Sequence, residues 1–430
     1  MSQIKPPANS KRSKYRLDRW SSGRLAVLGV RDFRVFYTGY VTSLLGTAMS
    51  AIALTFAVLD SGGTPADLGY VFAASVFPQV IFMIGGGVLA DRLGRRPVML
   101  VTDSVRFGVQ ATLAGALFIG RPPIWLFIVL SGLLAVGEGF FSPALGGLRA
   151  DIVPAERRHD GNALLGIAQS GTSVLGPAVA GVLVAVTSPA IVIALDAASY
   201  GISVLALAAL TIAPAAPSVQ SPWNDLADGW RQFRSQTWLW VTTIQFALFN
   251  LFTWAPFLLL GPILAREYLG GARAWGIVTA CLAAGAVLAG LGLVGRHPRR
   301  PLVIAVVGTF GYAVPALMLA LRAGLPLVAA GAAVAGAGGA VFSTYYNTVM
   351  QQRVPQQMLA RATAFGTTGS YALGAAGYAV IGVVAAPIGL GRLLGFGAAY
   401  AFISSAVVLG LPAIRSLRWR DADTGVKATA

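Results

Sequence analysis

The chain has 430 residues, 56% hydrophobic and 11% charged, with 32 Lys and Arg against 16 Asp and Glu for a formal charge of +16. Soluble domains carry about a quarter charged residues, so the composition excludes an ordinary soluble fold and points to an all-α polytopic membrane protein. Two His and one Cys assemble no metal, haem, iron-sulfur or disulfide site, and lysines found only at Lys5, Lys11, Lys14 and Lys427 leave no phosphate-binding loop and no membrane-embedded Schiff base.

In chain order, residues 1–34 are a basic tail without the apolar core of a signal peptide, and its Lys11, Arg12, Lys14, Arg16 and Arg19 suit anionic lipid headgroups at about 1 kcal/mol each. Six apolar stretches near 35–59, 69–90, 97–119, 124–146, 162–187 and 190–212 predict an N-terminal six-helix bundle over 35–212. Residues 213–237 are a linker, rich in Pro and Ser and then amphipathic from Trp223 to Phe233, which predicts a helix on the cytoplasmic membrane surface. Six more stretches near 238–262, 274–294, 301–321, 325–346, 363–387 and 393–413 predict a C-terminal bundle over 238–413, and 414–430 form a second tail. Twenty-six of the 32 basic residues fall in the tails and loops of one side, so the positive-inside rule places both termini in the cytoplasm. The charge is thus a topology signal, and no folded basic domain exists to bind nucleic acid.

The halves repeat. Arg92, Arg95, Arg96 and Pro97 recur 204 residues later as Arg296, Arg299, Arg300 and Pro301, and Phe141, Ser142, Val153, Pro154, Gly176 and Gly181 recur 201 residues later as Phe342, Ser343, Val354, Pro355, Gly377 and Gly382. That pattern predicts two parallel six-helix repeats. Acidic residues within spans, Asp103, Glu138 and Asp196, occur only in the first half. A charge at the bilayer centre costs at least ~2.5 kcal/mol, so each must be paired, protonated or hydrated, and ion coupling belongs to residues 1–212.

Between the second and third spans the chain reads Gly87-Val-Leu-Ala-Asp91-Arg92-Leu-Gly94-Arg95-Arg96. This resembles motif A of the major facilitator superfamily, the cytoplasmic loop signature of these twelve-helix transporters. The resemblance implies a gate in which Asp91 meets the N-terminal end of the eleventh span and Arg95 pairs with Asp151. Gly171, Gly176, Pro177 and Gly181 in the fifth span are similar to motif C of the family's antiporters, with Ala180 in place of one glycine. Pro177 frees a backbone carbonyl, and the small residues predict a bend that seals the periplasmic end against the second half. Leu133 stands where the family's motif B carries an arginine before Gly137 and Gly139, which leaves Glu138 as the nearest ionisable group in that span.

Asp103 and Arg106, spaced i, i+3, can form a local ion pair. With Phe141-Ser142-Pro143, Val153-Pro154, and Asp196 followed by Ser199 and Tyr200, they resemble the branch holding the enterobactin exporter and the macrolide efflux proteins. The coupling candidates are Glu138, as a protonation or substrate-cation site, then Asp103, Arg106 and Asp196, the last read as a structural partner near the periplasmic end of its span. In this fold spans one, four, seven and ten line the cavity, which nominates Tyr40, Ser43, Gln245, Asn250, Trp254, Tyr345 and Tyr346 beside Glu138. The expectation is a monomeric exporter of the cell membrane, without enzyme activity or cofactor, that uses the proton gradient to expel a drug, secondary metabolite or siderophore. An uptake symporter, or a sensor or scaffold that has lost turnover, remains the alternative.

Overall fold

The computed structural model describes residues 26–211, 236–354 and 356–417; residues 1–25 and 418–430 of the two tails and the Trp223 to Phe233 segment lie outside the described residues. The first half comprises α1 (Arg31–Asp60), α2 (Pro65–Leu93), α3 (Arg95–Ile119), α4 (Ile124–Ile152), α5 (Arg158–Val186) and α6 (Pro189–Ala208). The second comprises α7 (Thr237–Leu269), α8 (Gly271–Leu293), α9 (Pro301–Ala320), α10 (Leu325–Arg353), α11 (Gln356–Ile388) and α12 (Leu390–Gly410). Among the described residues there is no strand.

Eleven of these helices are long and apolar enough to cross a membrane. The twelfth, α3, is less apolar because it carries Arg95, Arg96, Asp103 and Arg106, yet its 25 residues extend about 37 Å, more than a hydrocarbon core of about 30 Å. Local sequence sets the ends. Thr64 and Asp67 form a capping box ahead of α2, with Pro65 at its first position. The α2–α3 turn is one residue, Gly94, at φ +90°, where a side chain would be strained. The longest span, α7, is interrupted by π-helical turns at Asn250–Trp254 and Ala265–Leu269, close to Pro256 and Pro262, whose missing N–H groups break the regular ladder.

Packing repeats with an offset of six helices. In the first half α2 packs on α4, α1 on α5 and α6, and α3 on α4 and α6; in the second, α8 packs on α10, α7 on α11 and α12, and α9 on α10 and α12. Between halves the principal contacts are α5 on α8 and α2 on α11. Both depend on glycine. A Cβ on Gly181 would sit 2.9 Å from the Gly276 Cα and 2.8 Å from the Ala272 carbonyl oxygen, and one on Gly69 would sit 3.1 Å from the Gly382 Cα and 2.5 Å from the Tyr378 carbonyl oxygen. At this end of the molecule one apolar core joins residues of both halves, from Met49 and Phe127 to Phe257, Trp275 and Leu394. At the other end, which carries the α2–α3 turn, the described core divides into a first-half cluster around Phe33, Met99 and Leu148 and a second-half cluster around Leu239, Leu302 and Val349. Among the described residues the cores of the two halves are therefore joined at one end and parted at the other.

Candidate functional site

Between the halves lies a cavity of about 390 Å³, walled by α1, α2, α3, α4 and α6, with Leu258 of α7 and Tyr378 of α11 contributed by the second half. Arg106 from α3 is at its centre. It hydrogen-bonds Glu138 of α4, lies 3.3 Å from Asp103, and stacks over the rings of Phe141 and Tyr200 at 4.7 and 5.5 Å. Its side chain is 4% exposed, whereas Glu138 is 41% exposed and faces the cavity. Asp103 is fully buried and accepts a second hydrogen bond, from Ser203 at 2.6 Å. The pair expected from i, i+3 spacing is thus present, but Arg106 is shared with Glu138 of the neighbouring helix.

Asp196 of α6 lines the same cavity. It is held only by neutral donors. Gln110 Nε2 donates to its carboxylate and to Ser50, and Ser199 lies 3.4 Å from it. The cavity surface thus holds two carboxylates, Glu138 and Asp196, against one guanidinium, Arg106, which also pairs with the fully buried Asp103. An uncompensated buried charge costs several kcal/mol, so this set is able to take up either a proton or a cation.

The motif A residues fall around the α2–α3 turn. Arg95 donates to both oxygens of Asp151 at 2.8 Å and to the Gly147 carbonyl at 3.1 Å, and Asp91 is 3.8 Å from Arg95. Arg96 hydrogen-bonds the carbonyls of Leu207 and Ala208, capping the C-terminal end of α6, while Arg92 is exposed. The side chains at the start of α11, residues 356–368, lie outside the described residues, and with them the expected contact of Asp91. Helices α2 and α4 approach closely through Gly86 and not through Gly87. A Cβ on Gly86 would be 2.9 Å from the Phe140 Cα, whereas one on Gly87 would make an ordinary 3.9 Å contact.

The motif C residues divide by direction. Gly181 and the Pro177 carbonyl face α8, as a seal against the second half requires. Gly176 instead packs on Ala48 of α1 inside the first half, and Gly171 has open space where a Cβ would be, because residues five apart on a helix point about 140° apart.

None of the seven nominated cavity residues other than Glu138 lines this cavity. Tyr40 is buried and accepts hydrogen bonds from Arg149 and Gln169, and Ser43 is buried one turn away. In the second half the aromatics satisfy one another: Trp254 stacks near Phe249 and Tyr312, and Tyr346 packs on Phe342 and Trp238. Asn250 donates to the Phe246 carbonyl in its own helix, Tyr345 is buried, and Gln245 lines a void of about 10 Å³ behind Phe249.

The Major Facilitator Superfamily profile matches residues 36–379. The chain belongs to this family. Among its relatives, macrolide efflux protein A of Streptococcus pyogenes is 24% identical over 346 residues, covering 79% of this chain and 85% of the relative. Multidrug efflux pump Tap of Mycobacterium tuberculosis (strain ATCC 25618 / H37Rv) is 25% identical over 394 residues, covering 86% and 91%. The fold is shared with the nucleoside transporter NupG, at TM-score 0.70 and 13% identity over 88% of this chain and 98% of that one. It is also shared with a bacterial homologue of the lysosomal transporter Spinster in an inward-facing, unoccupied conformation, at TM-score 0.66 and 13% identity over 91% and 98%.

Measured against this major facilitator frame, sequence reasoning missed Gln110, Arg149, Gly69 and Gly276. Gln110 was findable, because it follows Asp103 and Arg106 at i+7 and i+4 and so shares their face of α3. Gly276 and Gly69 carry no local signal, since a glycine in a span identifies a close approach only when the partner helix is known.

Proposed function

We propose that the chain is a secondary active exporter that moves small amphipathic molecules out of the cell by alternating access, driven by proton antiport. Glu138 carries this reading: a half-exposed carboxylate on the cavity surface, paired with a buried arginine that can turn to Asp103 when Glu138 takes up a proton or a cationic substrate. The names of the relatives, macrolide and multidrug efflux proteins, support export over uptake. With the basic end in the cytoplasm, as the positive-inside rule requires, the parted end faces inward, and this conformation is ready to load. The chain acts as a monomer in the cell membrane, with its basic tails on anionic headgroups, no cofactor and no catalytic step of its own.

The test is flux of ethidium and of erythromycin in proteoliposomes under an imposed pH gradient. Movement against the proton gradient supports antiport, co-movement with protons makes the protein a symporter, and no flux of either compound defeats the exporter reading for these substrates.

A further inference from the structure

Glu138 and Arg149 lie eleven residues apart on α4. Eleven residues are close to three helical turns, so both side chains leave α4 on one stripe, about 16 Å apart along the axis. Tyr40 stands two turns before Thr47, a cavity residue, on α1. The stripe therefore runs from the carboxylate cluster toward the parted end, where a molecule would enter.

Arg149 is unusual among the basic residues of that end. Arg95 has Asp151, and Arg96 has two helix carbonyls, but among the described residues no carboxylate pairs with Arg149. Its Nη2 donates to the Tyr40 hydroxyl at 3.0 Å, its guanidinium lies 5.5 Å from the Tyr40 ring centroid, and its Nε is buried without a partner. Gln169 of α5 donates to the same hydroxyl at 3.1 Å. A phenol oxygen that accepts twice keeps its own proton for a further acceptor. Arg149 and Gln169 thus converge on the Tyr40 hydroxyl, and the phenol proton and the unpartnered Arg149 Nε are the donors left over for an oxyanion.

We propose that Arg149, Tyr40 and Gln169 form a second substrate contact that takes the carboxylate of the transported molecule while Glu138 takes its ammonium group, so the carried class is amphoteric rather than simply cationic. This rests on the exporter reading, and it adds a polarity to it: the molecule enters with its cationic end leading toward Glu138 and its acidic end held nearer the parted mouth. Two cavity carboxylates against one arginine at the inner position, and an arginine without a carboxylate among the described residues at the outer one, supply complementary charge for such a molecule.

The full-length purified protein is titrated, by ligand fluorescence, with ciprofloxacin, which carries an ammonium and a carboxylate at opposite ends, and with ciprofloxacin methyl ester, which lacks the anion. Wild type should bind the acid at least tenfold more tightly than the ester, the range a charge-assisted hydrogen bond confers. Arg149→Gln should abolish that preference by weakening the acid alone, Arg149→Lys should keep part of it, and Glu138→Gln should weaken acid and ester alike. Equal binding of the two by wild type, an equal loss of both in Arg149→Gln, or binding of neither overturns the subsite. The exporter reading is judged separately by the ethidium and erythromycin flux, which does not depend on a carboxylate.

Discussion

Replacing Gly276 by valine tests whether the closed end is held by backbone contact. A Cβ at Gly276 would lie 2.7 Å from the Pro177 carbonyl oxygen and 2.8 Å from the Gly181 Cα, both in α5. Carbon atoms in comfortable contact sit about 3.5 to 4.0 Å apart, so α8 must withdraw from α5 by roughly 1 Å before the γ-methyl groups are considered. Forced overpacking costs about 1 to 3 kcal/mol. Because the strain exists only where α5 and α8 meet, it acts on the closed state and not on an opened one, and it should shift the equilibrium between them by about 5- to 150-fold. Spin labels on Thr187 and Arg273, which are exposed at the ends of α5 and α8, report the separation in a Cys281→Ser background. Pulsed dipolar spectroscopy should show a longer-distance population in Gly276→Val that is minor in the parent. An unchanged distance distribution, with the protein still folded, would show that the helices absorb the methyl groups without parting and would refute the argument.

Four further outcomes follow from the described contacts. Gly176→Val should lower thermal stability by about 1 to 3 kcal/mol in a melting assay without the distance change, because Gly176 meets Ala48 within the first half. Arg106→Leu should be the most damaging substitution in the cavity, about 3 to 5 kcal/mol in the same assay, since it strands Asp103 and Glu138 together, and the double variant Arg106→Leu with Asp103→Asn should recover part of the loss. Glu138→Gln should make the transport that remains independent of an imposed pH gradient; unchanged dependence moves coupling to Asp103 or Asp196. Asp91→Asn should remove most transport while membrane expression is kept, and wild-type flux in that variant removes Asp91 from the gate.

The spans and their turns were readable because each is a local matter. Twenty apolar residues and a Gly-Arg-Arg step define a helix end without knowledge of its neighbours, whereas the Arg95 to Asp151 contact, 56 positions apart, was an expectation from the resemblance to motif A. The cavity was readable only in part. Arg106 meets Glu138 across 32 positions of chain, and whether α3 offers that arginine to α4 or to its own Asp103 depends on how the two helices cross. The aromatics of the second half show the same limit from the other side. Residue type nominates Trp254 and Tyr346 for a ligand, but helix rotation decides whether an aromatic ring faces a cavity or another ring, and here Phe249, Tyr312 and Phe342 occupy those faces.

The glycine contacts between α5 and α8 and between α2 and α11 also fix what kind of barrier the closed end is. Helix backbones satisfy their own hydrogen bonds, so parting these surfaces uncovers no orphaned backbone donor and no buried ion pair, and separates only apolar contacts such as Phe72 on Tyr378. The charged bridge at that end between Asp60 of α1 and Arg266 of α7 is about half exposed and weak. What holds the end shut is close fit without a latch. A carrier has to abandon and rebuild this face in every cycle, and a seal made of short-range contact lets both states lie within a few kcal/mol, so that a bound molecule is enough to decide which side is open.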